Sequence, residues 1–150
     1  MWEILGGLLA GTAVSGIVPL VNAELLVVAA AVAAPGLGVP LVVAVSTAGQ
    51  MSTKTLLYGL ARWAPNRLPS RARGALERAS GAIADRGGAA RSLVFASAAL
   101  GVPPFYGVSL AAGALGMRLR AFLWSGSVGR LVRFGVIAWG ARWIGEGMLR

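Results

Sequence analysis

Two stretches without a single charged side chain, residues 25–53 and 92–117, constrain this chain more than anything else in it. They run 29 and 26 residues, longer than the roughly 20 apolar residues that a membrane-spanning helix needs. A soluble domain carries about 25% charged residues. This chain carries 13%, with 57% hydrophobic residues and a mean hydropathy of +0.74. The pattern predicts an all-α integral membrane protein. His and Cys are both absent, which removes Ser-His and Cys-His catalysis, disulfides and thiolate or imidazole metal sites. The acids are Glu3, Glu24, Glu77, Asp85 and Glu146, with no two close in sequence. Neither enzymatic chemistry, a metal nor a cofactor is expected. The net charge of +9 invites nucleic acid, but that partner requires a soluble basic face, so no nucleic acid is expected either.

Prolines divide the apolar blocks. The first reads as a helix over about 2–18, a break at Pro19, a short helix over about 22–34 and a full span over about 41–62. The short piece covers at most about 20 Å at 1.5 Å per residue, less than a 30 Å hydrocarbon core. Short helices beside proline breaks predict a re-entrant hairpin, with a kinked full span as the alternative. The second block repeats the outline: a short helix over 92–100, a break at Gly101-Val102-Pro103-Pro104, a short piece over 107–116, and a span over about 121–141. Asn22, Ser109 and Gly113 mark the hairpins together with the prolines. Val21-Asn22-Ala23 resembles a signal-peptide cleavage site, but the segment before it opens Met1-Trp2-Glu3, acidic where a signal is basic.

Between the blocks, Arg62, Arg67, Arg71, Arg73, Arg78, Arg86 and Arg91 outnumber two acids. Leu68, Ala72, Ala75, Leu76, Ala79 and Ile83 fall on one helical face there. This predicts a basic amphipathic helix lying in the headgroup plane, with a solvated connector as the plainer reading. Arginines this near membrane segments mark the cytoplasmic side.

The halves share residues as well as outline. Gly16-Ile17-Val18-Pro19 aligns with Gly101-Val102-Pro103-Pro104, and Lys54-x3-Tyr58-Gly59 with Arg130-x3-Phe134-Gly135. Ala61-Arg62-Trp63 recurs as Ala141-Arg142-Trp143. A hairpin returns to its own side, so each half crosses once and the halves are inverted, a recurrent transporter architecture. Arg118 and Arg120 then join the inside arginines, leaving Arg142 and Arg150 outside. The chain reads as one domain, with a first repeat over 1–64, a cytoplasmic connector over 65–91 and a second repeat over 92–150.

Glu24, Lys54, Arg130 and Arg133 sit in apolar surroundings, where an ionised group costs roughly 2.5–3.5 kcal/mol at a helix centre. Two plainer readings stand beside a functional one: Glu24 as a capping carboxylate and the arginines as snorkelling side chains. Together the four leave a surplus of two positive charges, which suits a phosphate headgroup held by arginine forks. The first turn from Gly107 to Ser109 offers further N–H groups to such an anion. Glu24 is then a proton acceptor or a counter-ion.

Several motifs occur in order: Pro19-Leu20-Val21-Asn22-Ala23-Glu24, Gly49-x3-Thr53-Lys54-x3-Tyr58-x3-Arg62, Asp85-Arg86-Gly87, Gly101-Val102-Pro103-Pro104, Ala112-Gly113 and Met117-x4-Phe122. In this order they resemble the DedA superfamily, whose VTT (SNARE-associated) domain is shared with autophagy-linked scramblases. The resemblance covers about residues 15–140. It implies two facing re-entrant hairpins, translocation of phospholipid or polyprenyl phosphate, and proton linkage, with the acidic role falling on Glu24. The chain departs from the family pattern at Thr53-Lys54, where a Gly-Asp is frequent, and at Ala99 and Phe105, where paired arginines are expected. Arg130 and Arg133 are candidate substitutes. Typical members are longer, and this chain resembles a small divergent branch.

The expectation is therefore a transporter or scramblase for an anionic lipid in a bacterial-type cytoplasmic membrane. The alternatives are a proton-coupled exporter of small lipophilic compounds and a non-transporting scaffold or insertion partner. Anionic lipid headgroups are the expected partners, protons a candidate coupling ion, and Gly7-x3-Gly11 a candidate homo-oligomer contact.

Overall fold

Apolar runs punctuated by proline and glycine give helices, and every regular element among the described residues is helical. A computed structural model describes residues 1–18, 21–84 and 90–148. Pro19 and the Asp85-Arg86-Gly87 motif lie outside them. In order come α1 (Trp2–Ser15), α2 (Ala23–Ala33), α3 (Val39–Trp63), a 3₁₀ turn (Pro65–Arg67), α4 (Ser70–Ala84), α5 (Ala90–Leu100), α6 (Phe105–Ala114) and α7 (Leu119–Met148). Two short helices followed by a long one occur twice. At 1.5 Å per residue α3 and α7 are about 37 and 45 Å long. Nevertheless, no helix among the described residues is long and apolar enough to cross a membrane. The spans expected over 41–62 and 121–141 therefore meet the length requirement but not the apolarity. Among their polar residues, Ser46, Thr47, Gln50, Thr53 and Lys54 of α3 and Arg130 of α7 are buried, while Ser52 and Arg120 are exposed.

The chain forms two compact units, residues 1–53 with 130–150, and residues 54–129. In the first, α1 packs on α2. The core joins Leu8 of α1 and Val27, Ala30 and Ala31 of α2 to Val42 and Val43 of α3 and Phe134 and Ala138 of α7. α1 and α3 meet through small and polar residues instead. A Cβ at Gly49 would lie 2.2 Å from Thr12 Oγ1 and 2.5 Å from the Leu9 carbonyl. That spacing lets Gln50 Nε2 donate to Ser15 Oγ at 2.9 Å and Thr53 Oγ1 donate to the Ala13 carbonyl at 2.7 Å.

In the second unit α6 is the central element. It is buried from Gly107 through Gly113 and packs against both α4 and α5. The apolar face of α4 is spent on this contact. Ala72 and Ala79 are buried while Arg71, Arg73, Glu77 and Arg78 are exposed, and a Cβ at Gly107 would lie 2.9 Å from the Ala75 carbonyl. The amphipathic helix expected here is therefore present, with its apolar face seated on protein. A short apolar α6 needs cover on every side, and α4 supplies it. The side chain of Ile83 is outside the described set. Two left-handed glycines end α5 and α6, Gly101 at φ 82° and Gly116 at φ 73°, a region closed to most side chains. At Gly116 the ending is complete: its N–H donates to the Gly113 carbonyl and that of Met117 to the Ala112 carbonyl, the paired closure of a Schellman motif. Gly16, the sequence counterpart of Gly101, is right-handed at φ −66°, so the paired motifs do not share a backbone conformation.

Candidate functional site

The site begins with a cap. Asn22 stands in extended conformation before α2, and its Oδ1 accepts from the Glu24 N–H at 2.8 Å. This satisfies one of the donors orphaned at a helix start. Glu24 consequently lies in the first turn of α2, where the positive end of the helix dipole favours an anion.

Its carboxylate is engaged from α7. Arg133 Nε donates to Glu24 Oε1 at 2.8 Å, and Arg133 Nη2 donates to the same oxygen. The side chains retain 22% exposure for Arg133 and 39% for Glu24, so the pair sits at a boundary. One turn back on α7, Arg130 is buried. Its guanidinium lies 5.7 Å from the centre of the Phe134 ring, a cation–π arrangement. Arg130 also interacts electrostatically with both Arg133 and Glu24. Two guanidinium groups and one carboxylate thus form a cluster with a net charge of +1, held by an apolar core.

Lys54 belongs to the other unit. It is buried, with its ammonium 5.4 Å from the Tyr106 ring centre and 5.9 Å from that of Phe105. Of the four ionisable groups read from the sequence, Glu24, Arg130 and Arg133 thus come together within the first unit, and Lys54 of the second unit lies beside aromatic rings. Each half keeps a buried cation one turn before a buried aromatic, Lys54 before Tyr58 and Arg130 before Phe134.

The hairpin residues divide similarly. The second break lies at Pro103 and Pro104, with α6 opening at Phe105. Ser109 and Gly113 fall inside α6 and not at the break. Ser109 is fully buried and its hydroxyl donates to the Phe105 carbonyl at 2.6 Å. Of the N–H groups expected to receive an anion over Gly107–Ser109, that of Val108 already donates to the Pro104 carbonyl. Gly113 serves close packing: a Cβ there would lie 2.1 Å from the Tyr58 carbonyl. Tyr58 itself donates its hydroxyl to the Met117 carbonyl and stacks on Phe122 at 5.1 Å.

One polar surface was not anticipated from the sequence. Ser46, Thr47, Gln50 and Thr53 are all buried on α3. Among the described residues Ser46 Oγ, Thr47 Oγ1 and Gln50 Oε1 have no hydrogen-bond partner. The spacing of Ser46, Gln50 and Thr53, four and then three residues apart, was the available signal, because it puts all three on one face.

No family model, no curated protein and no solved structure matches the chain.

Proposed function

We propose that this protein is a multi-pass membrane protein that translocates an anionic lipid, a phospholipid or a polyprenyl phosphate, past the cluster of Glu24, Arg130 and Arg133. The observation that carries the reading is an inverted distribution of polarity. Arg130, Lys54, Gln50, Thr53, Ser97 and Ser109 are buried, whereas Leu25, Leu56, Leu100, Val136 and all five tryptophans are exposed. Water penalises so much outward apolar surface, while lipid favours it. Exposed tryptophans suit a membrane interface. The inward polar face of α3 also supports the reading, because it lowers the hydropathy of that helix without placing polar groups toward lipid.

Within this reading the two short-helix hairpins are re-entrant and the halves are inverted repeats of the VTT type. Glu24 is the counter-ion that holds Arg133, and the cluster's net positive charge receives the phosphate. Arginine forks bind phosphate through paired charge-assisted hydrogen bonds. A carboxylate already engaged by Arg133 fits a counter-ion better than the free exchange site that a cation exporter requires. Lys54 contributes from its aromatic setting through its charge.

The test is reconstitution of the full chain in vesicles, following fluorescent phosphatidylglycerol and labelled polyprenyl phosphate across the bilayer. Wild type should move one of them well above empty vesicles. Arg130→Ala and Glu24→Gln should each slow it about tenfold or more, a barrier change of about 1.4 kcal/mol. Movement no faster than in empty vesicles, or both variants at wild-type rate, sinks the proposal.

A further inference from the structure

The arginines of the second unit have so far served only to orient the chain, but three of them converge. Arg91 in the first turn of α5, Arg118 before α7 and Arg120 in its first turn line an open cleft of about 430 Å³ with Ala121, Trp124 and Ser125. That volume falls within the roughly 300–1,000 Å³ of ligand pockets. No acidic side chain is among the described lining residues, and none of the three arginines forms an ion pair among the described residues. Three cations around one cleft with no acid among them favour an anion there. The opening turn of α7, which contributes Arg120 and Ala121 to the lining, adds the positive end of its dipole.

We propose that this cleft binds a phosphate group, separately from the Glu24 cluster. Phosphate offers oxygens to several guanidinium forks at once, which one carboxylate does less well. Arg120 and Trp124 are four residues apart and share a face of α7. The largely exposed indole of Trp124 therefore stands beside the anion, at the level where tryptophans meet lipid headgroups. The phosphate is either a lipid headgroup, as in basic pockets beside membrane helices, or free phosphate. The assignment concerns binding alone and stands whether or not the protein moves lipid.

The test uses the full chain in neutral detergent micelles. A variant with Trp124 as its only tryptophan (Trp2, Trp63, Trp139 and Trp143→Phe) reports fluorescence during titration with short-chain phosphatidic acid, phosphatidylglycerol, phosphatidylcholine and inorganic phosphate. Native mass spectrometry of the unaltered chain counts bound lipid independently, in case those replacements disturb folding. The anionic lipids should bind saturably and more tightly than phosphatidylcholine. Arg118→Gln and Arg120→Gln should each weaken binding roughly fivefold, the equivalent of about 1 kcal/mol. The charge-matched controls Arg71→Gln and Arg78→Gln, made singly on the exposed side of α4, should leave it unchanged. Competition by inorganic phosphate assigns the cleft to the free ion, and failure to compete assigns it to a headgroup. Both results support a phosphate site. Equal binding by all variants overturns it, and so does an equal loss in the α4 controls.

Discussion

Gly113→Ala is expected to destabilise the second unit by about 2 kcal/mol, although alanine is the better helix former. The gain in helix propensity is at most about 1 kcal/mol. The added methyl would lie 2.1 Å from the Tyr58 carbonyl oxygen and 2.9 Å from its carbon. Backbone atoms cannot rotate aside as a side-chain tip can, so α3 and α6 must separate, and overpacking of this kind costs about 3 kcal/mol. Separation also pulls on the Tyr58 hydroxyl at Met117 and on its stacking with Phe122. Gly135 provides the contrast, because a Cβ there meets nothing within 4 Å. Thermal unfolding in micelles should show a clear drop for Gly113→Ala and none for Gly135→Ala. Equal behaviour of the two would contradict the close approach.

Glu24→Ala is expected to cost the first unit about 1–3 kcal/mol, between the limits for surface and buried ion pairs. The figure is intermediate because the side chains are 22% and 39% exposed. What remains is two arginines one turn apart on α7 with their carboxylate removed, a repulsion added to a lost pair. Exchanging the charges, Glu24→Arg with Arg133→Glu, should recover part of the loss. It restores the pair but sets a cation at the start of α2, where the dipole opposes it by about 0.3–1 kcal/mol. Unfolding midpoints of the two variants measure this directly. An exchange variant no more stable than Glu24→Ala would show that the pair does not hold α2 to α7.

Much of this was readable beforehand because local chemistry decides it. Asn22 before an apolar run marked the start of α2, and the cap is there. Glu24, Arg130 and Arg133 stood out as charges in apolar surroundings. That Glu24 meets Arg133 across 109 residues is tertiary, and no spacing encodes it. That Lys54 lies beside the rings of Phe105 and Tyr106 is tertiary for the same reason. That the apolar face of α4 packs on α6 is tertiary too, because amphipathicity gives a face but not its occupant; protein and lipid are equivalent to a hydrophobic stripe. Ser109 was misplaced by a boundary, since Pro104 can precede the first turn and α6 begins at Phe105, before Gly107. The buried polar face of α3, Ser46, Thr47, Gln50 and Thr53, carries no charge, so the charge pattern of the sequence does not mark it.

The central claim is that the large apolar side chains turned outward face lipid. Spin labels introduced singly at Leu25, Leu56 and Val136, with Arg78 on α4 as the aqueous reference, test it in vesicles. The chain has no cysteine, so each label is unique without further substitution. Collision with oxygen, which concentrates in the bilayer, and with a charged nickel chelate, which stays in water, distinguishes the two environments. Labels at Leu25, Leu56 and Val136 should show high oxygen and low nickel accessibility, and the label at Arg78 the reverse. Nickel accessibility at those three positions equal to that at Arg78 would contradict it.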